Sequence, residues 1–181
     1  MITGKSGSGK TTTADIFVEY GFAQHTFAGP IKDIAKIIGF SHEEVCGTQE
    51  NKLKTNEFWD ISGREFMQQF GTDMCRDVIP KMKMNGRTIW ARIMEQKIIE
   101  NPFVVIGDGR FPDEAQLVRE HGGIIIRVVR DVVNHNERAE HKSEASIDEI
   151  DTDIVIDNNG TVDELRERVK QILEEKSYGF F

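Results

Sequence analysis

The run Gly4-Lys5-Ser6-Gly7-Ser8-Gly9-Lys10-Thr11 constrains this chain more than any other segment. It satisfies G-x-x-x-x-G-K-[ST] in full, and a helical pattern follows at once, from Thr11 to about Tyr20, ending before Gly21. The glycines let the backbone curl until successive amide N–H groups point inward, and the following helix adds partial positive charge at its N-terminus. Such a turn is a cradle for polyphosphate. Its expected ATP contacts are Gly4, Ser6, Gly7, Ser8, Gly9, Lys10, Thr11 and Thr12, with the Lys10 ammonium at the β- and γ-phosphates and the Thr11 hydroxyl available to Mg²⁺. Only Met1, Ile2 and Thr3 precede the turn, whereas strands usually run about 5–6 residues. Either the first strand is unusually short or further residues belong upstream.

A cradle of this kind joins a buried strand to a helix, and the rest of the chain repeats that alternation. Val104-Val105-Ile106, Ile124 to Val129 and Ile154-Val155-Ile156 are short apolar runs bounded by Gly, Pro, Asp or Asn, and a helical pattern follows each. Continuous apolar runs suit strands covered on both faces. The fold class that follows is α/β, a three-layer α/β/α arrangement with a mostly parallel central sheet. Punctuation places the helices: Pro30 to about Ile38, Ser62 (capping box with Glu65) to about Val78, Thr88 to Glu100, Pro112 to Gly122, and a last one capped by Thr161 with Glu164. That last helix carries Leu165, Val169, Ile172 and Leu173 as its apolar stripe. Residues 130–147 are polar and weakly helical, an excursion over the sheet.

The 181 residues fit one domain, and no apolar run approaches the ~20 residues that cross a bilayer. With no secretory signal readable, a cytoplasmic protein is expected, and Cys46 and Cys75 are expected as reduced thiols. A net charge of −8 argues against a nucleic-acid polymer as partner but permits a small phosphorylated ligand in a local arginine cluster. A membrane partner is not expected, and the chain is read as a monomer or homodimer.

A cradle does not name a reaction. A GTPase would carry N-K-x-D, and Asn51-Lys52-Leu53-Lys54 lacks the acid; Asp60-Ile61-Ser62-Gly63 matches D-x-x-G without an apolar strand before it. The length leaves little room for the added domains of most motors. A kinase is favoured over an ATP-hydrolysing regulator or a nucleotide-binding module that acts by conformation alone.

The candidate partners of the cradle lie in four places. Asp108 and Arg110 follow the Phe103–Ile106 strand and would share the cradle's cleft, since open α/β sheets bind ligands at strand carboxyl ends. Asp108 could hold Mg²⁺ through water or merely cap the next turn, and Arg110 could clamp a phosphate. The helix after Ser62 carries Arg64, Gln68, Asp73 and Arg76 among apolar residues, with 68, 72 and 76 on an i, i+4 line. That edge could read a base and grip its phosphate, or be a solvated face; Gly71 in mid-helix permits close approach by something. Arg130 and Arg138 bracket the polar excursion, either as a catalytic lid or as a solvated loop. Asn158, in the Asp157–Thr161 turn, could line an adenine pocket or serve the turn alone.

Taken together, the cradle, Phe27-Ala28-Gly29-Pro30-Ile31-Lys32, Gly63 to Arg76, Asp108-Gly109-Arg110-Phe111-Pro112-Asp113-Glu114-Ala115 and His141-Lys142-Ser143-Glu144 resemble the deoxynucleoside monophosphate kinases of large bacteriophages, over essentially the whole chain. Weaker forms of these blocks occur in phosphomevalonate kinases, and the Asp157–Thr161 ending looks like that of dephospho-coenzyme A kinases. The resemblance implies a nucleoside monophosphate kinase-like fold with a helical acceptor-binding region at roughly 40–100 and a lid at roughly 130–147. It implies transfer of phosphate from ATP, with Mg²⁺, to a (deoxy)nucleoside monophosphate. Arg64, Gln68, Asp73, Arg76 and Arg110 would surround the acceptor, with Lys10, Arg110, Arg130 and Arg138 as the catalytic cations and Thr11 and Asp108 at the metal. The deoxy preference rests on the resemblance alone. Gly29 departs from the phage pattern, where an aspartate is common. The alternative is another small-molecule P-loop kinase, acting on dephospho-coenzyme A or phosphomevalonate.

Overall fold

A computed structural model describes residues 1–79, 86–131 and 146–176. In chain order, β1 (Ile2–Thr3) leads to α1 (Lys10–Glu19) and β2 (Ala23–His25). Next come α2 (Gly29–Ile37), α3 (His42–Cys46), α4 (Gln49–Leu53), β3 (Thr55–Asn56), β4 (Ile61–Ser62) and α5 (Gly63–Gln68). A π-helical stretch, Gln69–Val78, precedes α6 (Ile89–Glu100) and β5 (Val104–Ile106). The chain continues through α7 (Pro112–Glu120), β6 (Ile126–Val129), a 3₁₀ turn (Ser146–Glu149), β7 (Ile154–Asp157) and α8 (Val162–Glu175). Two compact units result: Met1–Thr26 with Glu95–Phe181, and Phe27–Met94.

The first unit is the expected α/β core. β6 lies parallel between β1 and β7, with Ile2 opposite Ile126 and Ile126 opposite Ile154. β2 and β5 pair parallel, and a Thr3–Gly109 bridge with a Gly109 N–H to Ile2 carbonyl bond of 3.0 Å sets β5 beside β1. The parallel order is therefore β2-β5-β1-β6-β7. The core joins Ile2, Val105, Ile126, Val128 and Ile156 from the strands to Ala14, Ile16 and Phe17 of α1 and the α8 stripe Leu165, Val169, Ile172 and Leu173. Each large aliphatic side chain buried there stabilises the fold by about 1.5–3 kcal/mol.

The apolar run from Ile124 pairs as a strand only from Ile126. The Ile125 N–H is taken by the Asp153 carboxylate at 2.7 Å, while the Asp153 N–H returns to the Ile125 carbonyl at 2.9 Å. Burial works against ionisation of Asp153, but the Ile125 N–H and the Arg119 guanidinium outweigh it and hold the carboxyl below its ordinary value.

The second unit packs Ala35, Phe40 and Val45 with Ile38, Ile61, Phe66 and Met67. α3, α4 and the β3–β4 hairpin appear where only a helical region was expected. Ser41 and Thr48 cap their helices by accepting from the N–H groups of Glu44 and Asn51, and Asp60 takes φ 54° in the hairpin turn. The Ser62–Glu65 capping box forms as read, but the helix it starts widens after Gln68 into i→i+5 geometry. Gly71 sits where a Cβ would press on Ile31 Cδ1, and its carbonyl accepts from the Trp90 indole at 2.8 Å. The close approach at this glycine is therefore made by the protein's own side chains. Both cysteines are free thiols, Cys75 buried and Cys46 half-buried.

Candidate active site

The cradle is built by positive φ at Gly4 (143°), Gly7 (79°) and Gly9 (102°), conformations that a Cβ penalises. Two of these positions are also sterically closed: a Cβ on Gly4 would meet the Val128 carbonyl oxygen, and one on Gly9 the Asn158 amide. Lys10 lies at the first turn of α1 and folds back over the loop, its Nζ donating to the carbonyls of Gly4 (2.6 Å) and Lys5 (2.7 Å). The ammonium thus stands over the concave side of the turn, where polyphosphate oxygens would replace the carbonyls as acceptors. Lys5, Ser6, Gly7, Thr11 and Thr12 are exposed, while Ser8 is buried with its hydroxyl unpaired.

Asn158 is the residue whose placement adds most. It follows β7, is buried to 8% exposure, and donates from Nδ2 to the Ser8 carbonyl at 2.8 Å. Its amide straps the cradle from across the sheet. From sequence it could line an adenine pocket or serve the turn alone; in the structure it contacts the phosphate loop. The adjoining turn is held by Asn159, which accepts from the Asp131 N–H at 2.8 Å and donates to the Asp131 carboxylate at 3.1 Å.

The next loop of the same sheet edge carries Asp108 and Arg110, both half-buried, just past β5. Glu114, only 3% exposed, organises it by accepting from the N–H of Arg110 at 2.8 Å and of Phe111 at 3.1 Å. Sequence reasoning missed this acid. Its position in the first turn after Pro112 was the available signal, because a carboxylate there satisfies N–H groups that the helix leaves open. Arg130 is exposed immediately after β6. The loops after β1, β5, β6 and β7 therefore bring the cradle, Asp108, Arg110, Arg130 and Asn158 to the carboxyl edge of one parallel sheet. Arg138 and His141-Lys142-Ser143-Glu144 lie outside the described residues.

In the second unit, Arg64 opens α5 and Gln68 ends it, with Asp73 and Arg76 on the π-helical stretch. The i→i+5 bonding begins at Gln69, so Gln68 closes α5 while Thr72, Asp73 and Arg76 lie on the wider turns. Gln68 and Arg76 are half-buried and Asp73 is exposed. Among the described residues no three His, Cys, Asp or Glu side chains converge on a point that could hold a metal ion. The Thr11 hydroxyl and the Asp108 carboxylate are the hard-oxygen donors expected from sequence for Mg²⁺, a sparse set of the kind that suits an ion bound largely through substrate phosphates. No helix among the described residues is long and apolar enough to cross a membrane.

A family model described as deoxynucleotide monophosphate kinase matches residues 36–169. The chain is similar to the putative deoxynucleotide monophosphate kinase of Acanthamoeba polyphaga mimivirus, at 33% identity over 97% of this chain and 96% of that protein. It is also similar to the deoxynucleotide monophosphate kinase of Enterobacteria phage T4, at 25% identity over 87% of this chain and 65% of that protein. Among solved structures, dephospho-CoA kinase from Campylobacter jejuni superposes with a TM-score of 0.50 at 18% identity, over 99% of this chain and 97% of that one. That likeness concerns the fold alone.

Proposed function

The chain belongs to the deoxynucleotide monophosphate kinase family, and from that premise we propose that it transfers the γ-phosphoryl group of ATP to a deoxynucleoside monophosphate, giving ADP and the diphosphate. The observation that carries the reading is the complete phosphate cradle at the carboxyl edge of a parallel sheet, with the Lys10 ammonium over the loop and arginines in the neighbouring strand-end loops.

The reaction needs no side-chain nucleophile. An oxygen of the acceptor phosphate attacks the γ-phosphorus in line, and the bond to the β–γ bridging oxygen breaks, leaving ADP. Lys10 and the cradle N–H groups hold the β- and γ-phosphates and neutralise charge as it moves onto the leaving oxygen. Arg110, its loop tied down by Glu114, orients the transferring or accepting phosphate. Arg130, with Arg138, adds positive charge at the transferring group and helps keep water from it. Thr11 directly, and Asp108 through water, would hold Mg²⁺, which supplies Lewis-acid neutralisation of the phosphate oxygens. Arg64, Gln68, Asp73 and Arg76 serve the acceptor, arginine on phosphate and amide or carboxylate on the base edge. The preference for deoxyribose comes from the family.

A steady-state panel tests this: matched deoxy- and ribonucleoside monophosphates, dephospho-coenzyme A and phosphomevalonate. ADP should form in step with a nucleoside diphosphate, and only when a monophosphate is present. ADP formation independent of any acceptor would instead establish a hydrolase, and equal kcat/KM for the two sugars would remove the deoxy preference.

A further inference from the structure

We propose that Lys5 is a second cation of the phosphate cradle, one that exchanges the carboxylate of Asp148 for the γ-phosphate of ATP; this rests on the kinase reading above. In the structure the Lys5 Nζ lies 3.6 Å from Asp148 Oδ2. The fold alone pairs them: Lys5 directly follows Gly4 in the cradle, and Asp148 sits on the 3₁₀ turn Ser146–Glu149 that precedes β7. The place of Lys5 fixes which phosphate it would meet. Its backbone carbonyl accepts from Lys10 Nζ at 2.7 Å, so the two lysines flank one point of the loop. Backbone N–H groups of such a loop serve the α- and β-phosphates, while its invariant lysine reaches the β- and γ-phosphates. A second long cation leaving the loop beside Lys10 is at the γ end.

Asp148 is the fixed partner of the pair. Its neighbour Ile147 is buried at 2% exposure, and Arg127 Nη2 from β6 donates to the carbonyls of Ile147 at 2.9 Å and Ile150 at 2.6 Å. The turn is thereby clamped on both sides of the acid, whereas lysine carries its charge on a flexible four-carbon stem. The contact between them is weak, because the two side chains are 55% and 62% exposed and ion pairs in water contribute little. A terminal phosphate offers up to two charges and three acceptor oxygens, and hydrogen bonds to ionised partners are roughly twice as strong as neutral ones. Bound ATP therefore draws the Lys5 ammonium away from Asp148. The acid competes with the γ-phosphate and weakens ATP binding by the strength of the contact that is given up, while ADP, which lacks that group, escapes the competition.

Isothermal titration with ATP and with ADP, without an acceptor, tests the exchange, and the readout is the ratio of the two affinities. The proteins are the unmodified chain, Lys5→Met, Lys5→Arg and Asp148→Asn. Lys5→Met should lower the preference for ATP over ADP roughly tenfold to a hundredfold, from the loss of one charge-assisted contact, with ADP affinity nearly unchanged. Lys5→Arg should keep most of that preference. Asp148→Asn should raise it, by up to about fivefold, the strength of an exposed ion pair. All three variants should melt close to the unmodified chain, since both positions are exposed. A pair that only shaped the loop would send Lys5→Met and Asp148→Asn in the same direction; opposite signs mark competition. An unchanged ratio in either variant would overturn the proposal, as would equal losses of ATP and ADP in Lys5→Met, and each would leave the kinase standing. An unmodified chain that binds neither nucleotide would overturn both.

Discussion

The side-chain amide of Asn158 donates to the Ser8 carbonyl at 2.8 Å and occupies the space that a Cβ on Gly9 would need. The two residues are joined only by the fold: one directly follows β7, the other is the left-handed cap of α1 at φ 102°. The curvature of the phosphate loop is thus set from outside the loop as well as by its own glycines.

Gly9→Ala is therefore expected to fail twice, through a strained left-handed backbone worth about 1–3 kcal/mol and through collision with the Asn158 amide. ATP affinity should fall along with the thermal midpoint. Because the two costs share the Asn158 amide, the Gly9→Ala/Asn158→Ala double variant should lose less than the sum of the two single losses. Strict additivity, with calorimetry as the readout, would place the whole cost of Gly9→Ala in the backbone.

Asn158→Ala alone should cost about 1–3 kcal/mol of stability, because the buried Ser8 carbonyl loses its donor. ATP should bind more weakly through a looser cradle, whichever base the nucleotide carries. Comparing ATP with GTP in the variant checks this, since a residue that only read adenine would change the ATP figure alone.

Lys10→Ala should leave the melting curve close to that of the unmodified chain and lower turnover by on the order of 10²–10³ or more. Lys10 donates to two loop carbonyls in a half-exposed position, so little packing depends on it. Near-native turnover in a folded variant would sink the cradle assignment.

These outcomes follow from contacts of different reach, and reach decides what the sequence makes legible. The cradle, the Thr161 capping box and the Leu165–Leu173 stripe are written in consecutive or periodic residues, and each stands where it was read. The strap between Asn158 and Ser8 spans 150 positions, so no local pattern announces it. The π-helical stretch escapes the same way: the Trp90 indole that bonds the Gly71 carbonyl is 19 residues distant. α3 and α4, five residues each, are too short to show a period, although Ser41 with Glu44 was a capping box in plain view.

Acid should act through Asp153. Its carboxyl titrates below the ordinary value of 3.8 in the folded chain, because the Ile125 N–H and Arg119 outweigh burial. A depressed folded pKa contributes stability that is complete above the unfolded value and is lost as pH falls through the folded one. Asp153→Asn should therefore lower stability at neutral pH and flatten the acid limb of the stability curve below about pH 4. Chemical denaturation at stepped pH reads both. An acid limb as steep as that of the unmodified chain would assign the acid sensitivity to other carboxylates.

Arg130→Ala probes the step at which charge moves. The residue stands exposed directly after β6, at the same sheet edge as the cradle, so its removal should not disturb the core. A cation that meets the γ-phosphoryl group chiefly in the transition state contributes little to ground-state binding. The expected signature is thus a split: kcat falls by on the order of 10³, as for arginines that stabilise phosphoryl transfer elsewhere, while the Kd for ATP rises less than about tenfold. Equal losses in both would make Arg130 a ground-state phosphate ligand. Unchanged turnover, with the fold verified, would take it out of the mechanism.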